Sequence, residues 1–220
     1  MAHRRPKKLR VVFLVDGLNL HHSVRQARQA FPGVGISPWL DVRALCDAHL
    51  YLIAPTAVTS ETHYFVTFAE HLETTRPGIV QADRDYTEAL TASGVRVHLG
   101  RFKSRRMRCP TCRTVWFRHE EKETDVAIAA HGIALAVTDA CDVVVLVSGD
   151  TDLLPALHTV RTLAPQMALW VAFPFGRSNR ELAQAATGSF KLRHGQYAKH
   201  QLPEEMQLPN QRWVRKPVGW

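Results

Sequence analysis

The sequence predicts an α/β protein built on a mainly parallel, five-stranded sheet flanked by helices. Five short apolar runs recur along the 220 residues: Leu9–Val15, Thr62–Phe68, Val95–Leu99, Val143–Val147 and Met167–Phe173. Several are rich in Val and lack the polar alternation of a one-sided sheet, as expected of strands covered on both faces. Segments with helical spacing of apolar residues separate them, and that alternation implies parallel pairing.

Each element has its own signal. After the first strand, Leu20–Ala30 reads as a helix that stops at the Pro/Gly-rich stretch Phe31–Pro38. Leu40–Leu50 reads as a second helix ahead of Pro55. Gly78–Ser93 carries Ile79, Ala82, Tyr86, Ala89 and Leu90 on one face, and Gly94 supplies the stop. Asp125–Thr138, Leu153–Leu163 and Asn179–Ala186 are the remaining helices. Residues 101–121 interrupt the alternation with a basic insertion, and 201–220, with Pro203, Pro209 and Pro217, read as irregular or extended. The expected division is a basic arm at 1–8, one α/β domain at 9–190 and a basic tail at 191–220.

Length and composition narrow the class. A chain of this size buries enough surface to fold without disulfides or a structural metal. No run of 18 apolar residues is present, so no membrane span is expected. The run Val11–Val15 is too short for a signal-peptide core, which points to the cytoplasm. The formal charge is +8, but it is uneven: residues 1–10, 101–118 and 191–220 together carry +16, and the rest carries −8. An acidic body with basic extensions suits a polyanionic partner.

The acids have a pattern of their own. Asp16 ends the first strand in Val15-Asp16-Gly17-Leu18-Asn19, and Asp150 and Asp152 follow the fourth in Ser148-Gly149-Asp150-Thr151-Asp152. Open parallel sheets bind ligands outside the carboxyl ends of their strands. If the first and fourth strands are neighbours, these acids converge there, joined by Asp125 from the start of the intervening helix. Each Asp alone is a common turn or cap residue; their joint placement points to a shared site. Clustered carboxylates repel one another, and a hard cation held by oxygen ligands, magnesium or manganese, relieves that repulsion. Such a cation suits phosphodiester hydrolysis.

The segments Val15–Asn19, Glu121–Val126 (E-K-E-T-D-V) and Val147–Leu153 (V-S-G-D-T-D-L) resemble the NYN domain, in particular its LabA-like branch, within the PIN-like nuclease superfamily. The resemblance spans about residues 9–190. It implies a Rossmann-like PIN fold and a magnesium- or manganese-dependent ribonuclease. It implies Asp16, Asp125, Asp150 and Asp152 as the metal-site acids. Asn19 would orient the first loop or touch substrate, Lys122 would flank the pocket, and Ser148 would hydrogen-bond within it. One departure is visible: Thr187-Gly188-Ser189 stands where the family often has an acid before the aromatic, here Phe190.

The insertion carries Arg105, Arg106 and Arg108 ahead of Cys109-Pro110-Thr111-Cys112. The C-x-x-C supplies two zinc ligands of the four a structural site needs, with His119 the nearest further candidate. The alternatives are a zinc shared in a homodimer and a pair of free thiols. Cys46 and Cys141 read as small buried side chains. The insertion is expected to be a basic hairpin gripping RNA, with Trp116 and Phe117 either stacking on bases or packing on the body. Arg177 and Arg180, beyond the fifth strand, are candidate phosphate contacts. His21 and His22 face the same edge, and Arg212, Trp213, Arg215 and Lys216 make the tail a candidate clamp or a docked segment.

The expected activity is endonucleolytic hydrolysis of RNA, with DNA as a further substrate class. A non-catalytic RNA-binding regulatory protein of the same fold is the alternative, and a phosphatase of small phosphates would leave the basic extensions without a role.

Overall fold

Residues Leu9–Asp16 form β1, whose last six residues are buried on both faces, and it lies at the centre of a six-stranded sheet. The computed structural model describes residues 7–220, apart from the side chains of Arg118 and Glu120. Residues 1–6 of the expected basic arm lie outside the described residues.

The remaining elements are α1 (Gly17–Ala30), α2 (Val42–Asp47), β2 (Ala57–Val66), α3 (Ile79–Ala92), β3 (Arg96–Leu99), β4 (Arg101–Arg108), β5 (Val115–Lys122), α4 (Thr124–Thr138) and β6 (Val143–Val147). They continue with α5 (Leu154–Leu163), β7 (Ala168–Phe173), α6 (Arg180–Ala185), β8 (Gly188–Lys191), α7 (His194–Lys199), β9 (Glu205–Gln207) and β10 (Trp213–Arg215). The sheet order is β3-β2-β1-β6-β7-β8, and each neighbouring pair is parallel. The five expected strands are all present. The sixth, β8, was not expected: Gly188-Ser189-Phe190-Lys191 is a short edge strand with alternating exposure, so it has no apolar run to announce it. The expected helix at 40–50 is shorter, confined to α2, and a single 3-10 turn follows at Leu50–Leu52.

Alternation along β1 sorts the core into two layers. Val11, Phe13 and Val15 face α1, α2 and α3 and pack with Leu20, Leu45 and Leu90. Val12 and Leu14 face α4, α5 and α6 and pack with Ile128, Leu157 and Leu182. A strand buried on both faces must be apolar at every position, and that is why its run was legible.

The residues after 190 close over the first layer. Tyr197, Leu202, Leu208 and Val214 are buried in the same core as Val11 and Phe13. Trp39 donates its indole N–H to the carbonyl of Pro203 at 2.7 Å. Arg212 pairs with Asp85 at 3.0 Å and with Glu88, both on α3, and Arg215 pairs with Glu205 at 3.0 Å. Residues 201–220 are therefore a docked segment with the β9–β10 hairpin, in which Trp213 remains exposed. Apolar residues spaced singly between prolines did not read as an element, yet each fills a separate gap in the core.

Candidate metal and nucleic-acid site

Val15 and Val147 are register partners, so the residues that follow β1 and β6 meet at the carboxyl edge. The strand order reverses between these two strands, which makes this crevice the topological switch point. Asp16 is buried there as the N-cap of α1, its Oδ1 accepting the Asn19 backbone N–H at 2.9 Å. Its Oδ2 accepts the Ser148 hydroxyl at 2.8 Å. Ser148 Oγ accepts the Asp150 N–H at 3.1 Å, and Asn19 Oδ1 accepts the Gly149 N–H at 3.2 Å. Asp150 Oδ1 accepts the Asp152 N–H at 3.0 Å. One hydrogen-bonded chain thus joins Asn19, Asp16, Ser148, Asp150 and Asp152. Ser148 and Asn19 act in it as positioning residues, since their side chains are turned on the loop and the first acid.

Asp125 enters from the first turn of α4. Glu121, near the end of β5, enters beside it and accepts the Thr67 hydroxyl at 3.2 Å. Between them Glu123 takes a left-handed conformation, φ 82°, which turns the chain sharply from strand to helix. Burial pushes the Asp16 carboxyl up to about 6, and Asp125 and Glu121 add repulsion against the hydrogen bonds from Asn19 and Ser148. Asp125 is raised by partial burial and then by Asp150, Glu121 and Asp152. These acids share one field. Glu121 lay inside the quoted E-K-E-T-D-V segment, but a second acid two residues from Glu123 gave no sign of which one turns inward.

The donor set is made of carboxylate oxygens, which fits a hard divalent cation. Among the described residues no three of these acids bring ligand atoms within 4.8 Å of one another. That looser ring suits magnesium or manganese, which keep part of their water shell and take few carboxylates directly. The raised carboxyls make stability depend on pH. Folded Asp16 holds a proton that the unfolded chain has released between its ordinary value, 3.8, and about 6. Its contribution to stability therefore falls as pH rises through that window and stays low above it. Thermal unfolding of metal-free protein should show this loss between about pH 4 and 6, and Asp16→Asn should remove it. Added manganese should raise the melting temperature more at pH 7 than at pH 5; an equal rise at both would contradict the assignment.

Basic groups surround the acids. Arg177 follows β7, and its Nε is buried without a hydrogen-bond partner among the described residues. Gly149 packs so closely on this segment that a Cβ there would meet the Arg177 carbonyl at 2.0 Å. Backbone on both sides cannot yield cheaply. Gly149→Ala should cost about 1–3 kcal/mol and displace the loop that carries Asp150, read by chemical denaturation beside an activity assay. Lys122 is exposed at the end of β5, and Arg180 is exposed in the first turn of α6, which Asn179 caps. His22 lies within the fields of both Arg177 and Glu121. His21 is pushed down to about 4, by burial first and then by His22 and Arg25. Next to it runs a cleft of about 520 Å³, lined by Arg25, Arg28, Arg76, Tyr64 and Trp220 among others. These cleft residues come from segments far apart in the chain, and no local motif marked them.

The insertion is an antiparallel hairpin, β4 against β5, standing outside the main sheet. Arg105, Arg106 and Arg108 are exposed along β4. Trp116 and Phe117 are 46% and 63% exposed, so they do not pack on the body. Cys109 and Cys112 sit at the tip with free thiols. His119 is not beside them: it lies opposite Ser104 in mid-strand and stacks on His71 at 4.5 Å. Strand extension carries it away from the tip, which removes it as a third ligand. Cys46 and Cys141 are buried, as expected.

Residues 10–193 match the NYN domain. The fold is similar to that of a protein of unknown function from Vibrio parahaemolyticus RIMD 2210633, with TM-score 0.57 and 17% identity over 90% of this chain and 99% of that one. No curated protein matches the sequence. No described helix is long and apolar enough to cross a membrane.

Proposed function

The chain belongs to the NYN domain family, within the PIN-like nuclease superfamily, and on that premise we propose that it is a metal-dependent endoribonuclease of the LabA-like branch. The observation that carries this is the convergence of acids at the switch point, with Asp16 pushed up to about 6 by burial and by its neighbours. Such a site is short of positive charge. Asp16, Asp125, Asp150 and Asp152 would hold magnesium or manganese, with Glu121 as a further acid. When bound, the cation supplies a water of lowered pKa and charge to set against the phosphate.

The chain's own groups do the rest. Ser148 and Asn19 fix the Asp16 carboxylate and the Gly149–Asp152 loop. The Nε of Arg177, without a hydrogen-bond partner among the described residues, is a donor for a phosphate oxygen, and Lys122 and Arg180 supply positive charge for the flanking backbone. The RNA strand would run in the basic cleft, with Arg105, Arg106 and Arg108 on the hairpin gripping it and Trp116 or Phe117 stacking on bases. A cytoplasmic setting fits the free thiols of Cys109 and Cys112.

The test is a manganese titration on end-labelled RNA, with binding and cutting read in parallel. Metal-dependent internal cleavage supports the proposal. Saturable binding with no cleavage at any metal concentration would instead assign a non-catalytic RNA-binding role.

A further inference from the structure

His63 on β2, His98 on β3 and His131 on α4 meet on the α4 side of the sheet, each offering a ring nitrogen within 4.8 Å of the other two. Their hydrogen bonds select which nitrogens are free. His63 Nε2 lies 2.8 Å from Glu61 Oε2, so it carries the proton and leaves Nδ1 as a lone pair. His131 Nδ1 lies 2.9 Å from the Ala127 carbonyl, so it too carries the proton and leaves Nε2 free. His98 Nε2 faces His63 Nδ1 at 2.9 Å. Glu61 is itself held by Arg96 at 2.8 Å. A carboxylate or backbone carbonyl behind the distal nitrogen is the usual support of a metal-bound imidazole, since it fixes tautomer and ring angle.

We propose that these three histidines form a second metal site, for zinc or a closely related divalent transition metal. Imidazole nitrogen suits that class and not magnesium. His63 would bind through Nδ1, His131 and His98 through Nε2, and water would take the fourth position. In the metal-free form His98 Nε2–H donates to His63 Nδ1; on binding, the His98 proton moves to its Nδ1, and no net charge is released. Phe65 stacks on His98 at 4.6 Å and meets His131 edge-on at 5.1 Å, walling one side of the site with apolar surface. Burial, then mutual repulsion with His131 and His63, holds His98 at about 4, so its ring is neutral at pH 7.

The site ties together segments on either side of the basic hairpin. Gly100 alone separates β3 from β4, and Glu123 alone separates β5 from α4. His98 thus lies two residues ahead of the hairpin's first root at Gly100, while His131 lies two turns into α4, the helix that leaves its second root and carries Asp125. The metal would tie the strand that leads into the hairpin and the middle of α4 to β2. The site shares no residue with the acidic crevice, and its metal is of a different chemical class.

The experiment uses full-length protein without a histidine tag, in a Cys109→Ser/Cys112→Ser background that removes the two thiols at the hairpin tip and leaves only the buried Cys46 and Cys141. Zinc binding is measured by elemental analysis and melting temperature, and cobalt loading by visible absorption. The proposal expects stoichiometric zinc, a melting temperature raised by about 5–10 °C at hundredfold excess over Kd, and cobalt bands typical of nitrogen ligation. His98→Gln and His131→Gln, both at half-buried positions, should each abolish the zinc-induced shift. Absence of stoichiometric zinc in the Cys109→Ser/Cys112→Ser protein would overturn it, as would zinc binding that persists in both histidine variants.

Discussion

Asp16→Asn should reduce RNA cleavage by about 10³-fold while leaving the metal-free protein more stable than the parent at pH 7. The first half follows from the loss of a buried metal-site charge, worth several kcal/mol at a developing phosphate transition state. The second half follows from the same burial. Asp16 must ionise in a crevice that raises its carboxyl from 3.8 to about 6, a cost on the order of 3 kcal/mol at neutral pH. Asn caps a helix as well as Asp does and keeps an oxygen for the Asn19 N–H. Its amide can donate to Ser148 Oγ, which is free to rotate its own proton elsewhere. Part of the gain is offset by the loss of a negative charge at the N-terminus of α1. A net rise of about 1–2 kcal/mol is expected by denaturant unfolding in chelator. A variant that loses activity and stability together would mean that Asp16 is a structural residue.

The second large effect belongs to the hairpin. Replacing Arg105, Arg106 and Arg108 together with Ala should weaken RNA affinity about 10–100-fold at physiological salt and leave the single-turnover rate at saturation within a few-fold. These side chains are exposed on β4, beyond the acidic crevice, so they can hold the backbone without touching the reacting phosphate. Each lost contact to a single strand should lower the salt dependence of log K by about 0.7, or by about 2 for all three. Binding isotherms at several salt concentrations check this. An unchanged slope would place the RNA elsewhere on the surface.

Much of the fold was legible because the sheet is covered on both faces. Strands that must be apolar at every position, such as Val143–Val147, stand out from any helix pattern. The N-terminal half of β2 and the edge strand β8 did not stand out, because residues such as Thr59, Glu61 and Ser189 lie at rims where polarity is tolerated. The docked segment after residue 200 reads as irregular from its sequence. Its anchors, Leu202, Leu208 and Val214, are single residues spaced by prolines and turns, and only the body's gaps give them a place.

The site divides in the same way. Asp16, Ser148, Asp150 and Asp152 are legible because each stands at or just after the carboxyl end of an apolar strand run. Glu121 was not, since a left-handed residue at Glu123 decides which acids turn inward, and nothing local fixes that conformation. The cleft arginines and the histidine trio were invisible for a different reason. Glu61, His63, His98 and His131 are spread over 71 residues and meet only through strand register and helix placement. His119 shows the reverse error: it is near the cysteines in sequence, but an extended strand carries it away.

The acids at the β1–β6 switch point are proposed to cut RNA. Single-turnover cleavage of RNA and DNA by the purified protein, with and without manganese, beside Asp150→Asn decides this. Manganese-dependent internal cleavage of RNA by the parent protein is expected, with a loss of about 10³-fold in Asp150→Asn and RNA binding retained. Cleavage by Asp150→Asn at the parent's rate, still dependent on manganese, would contradict it.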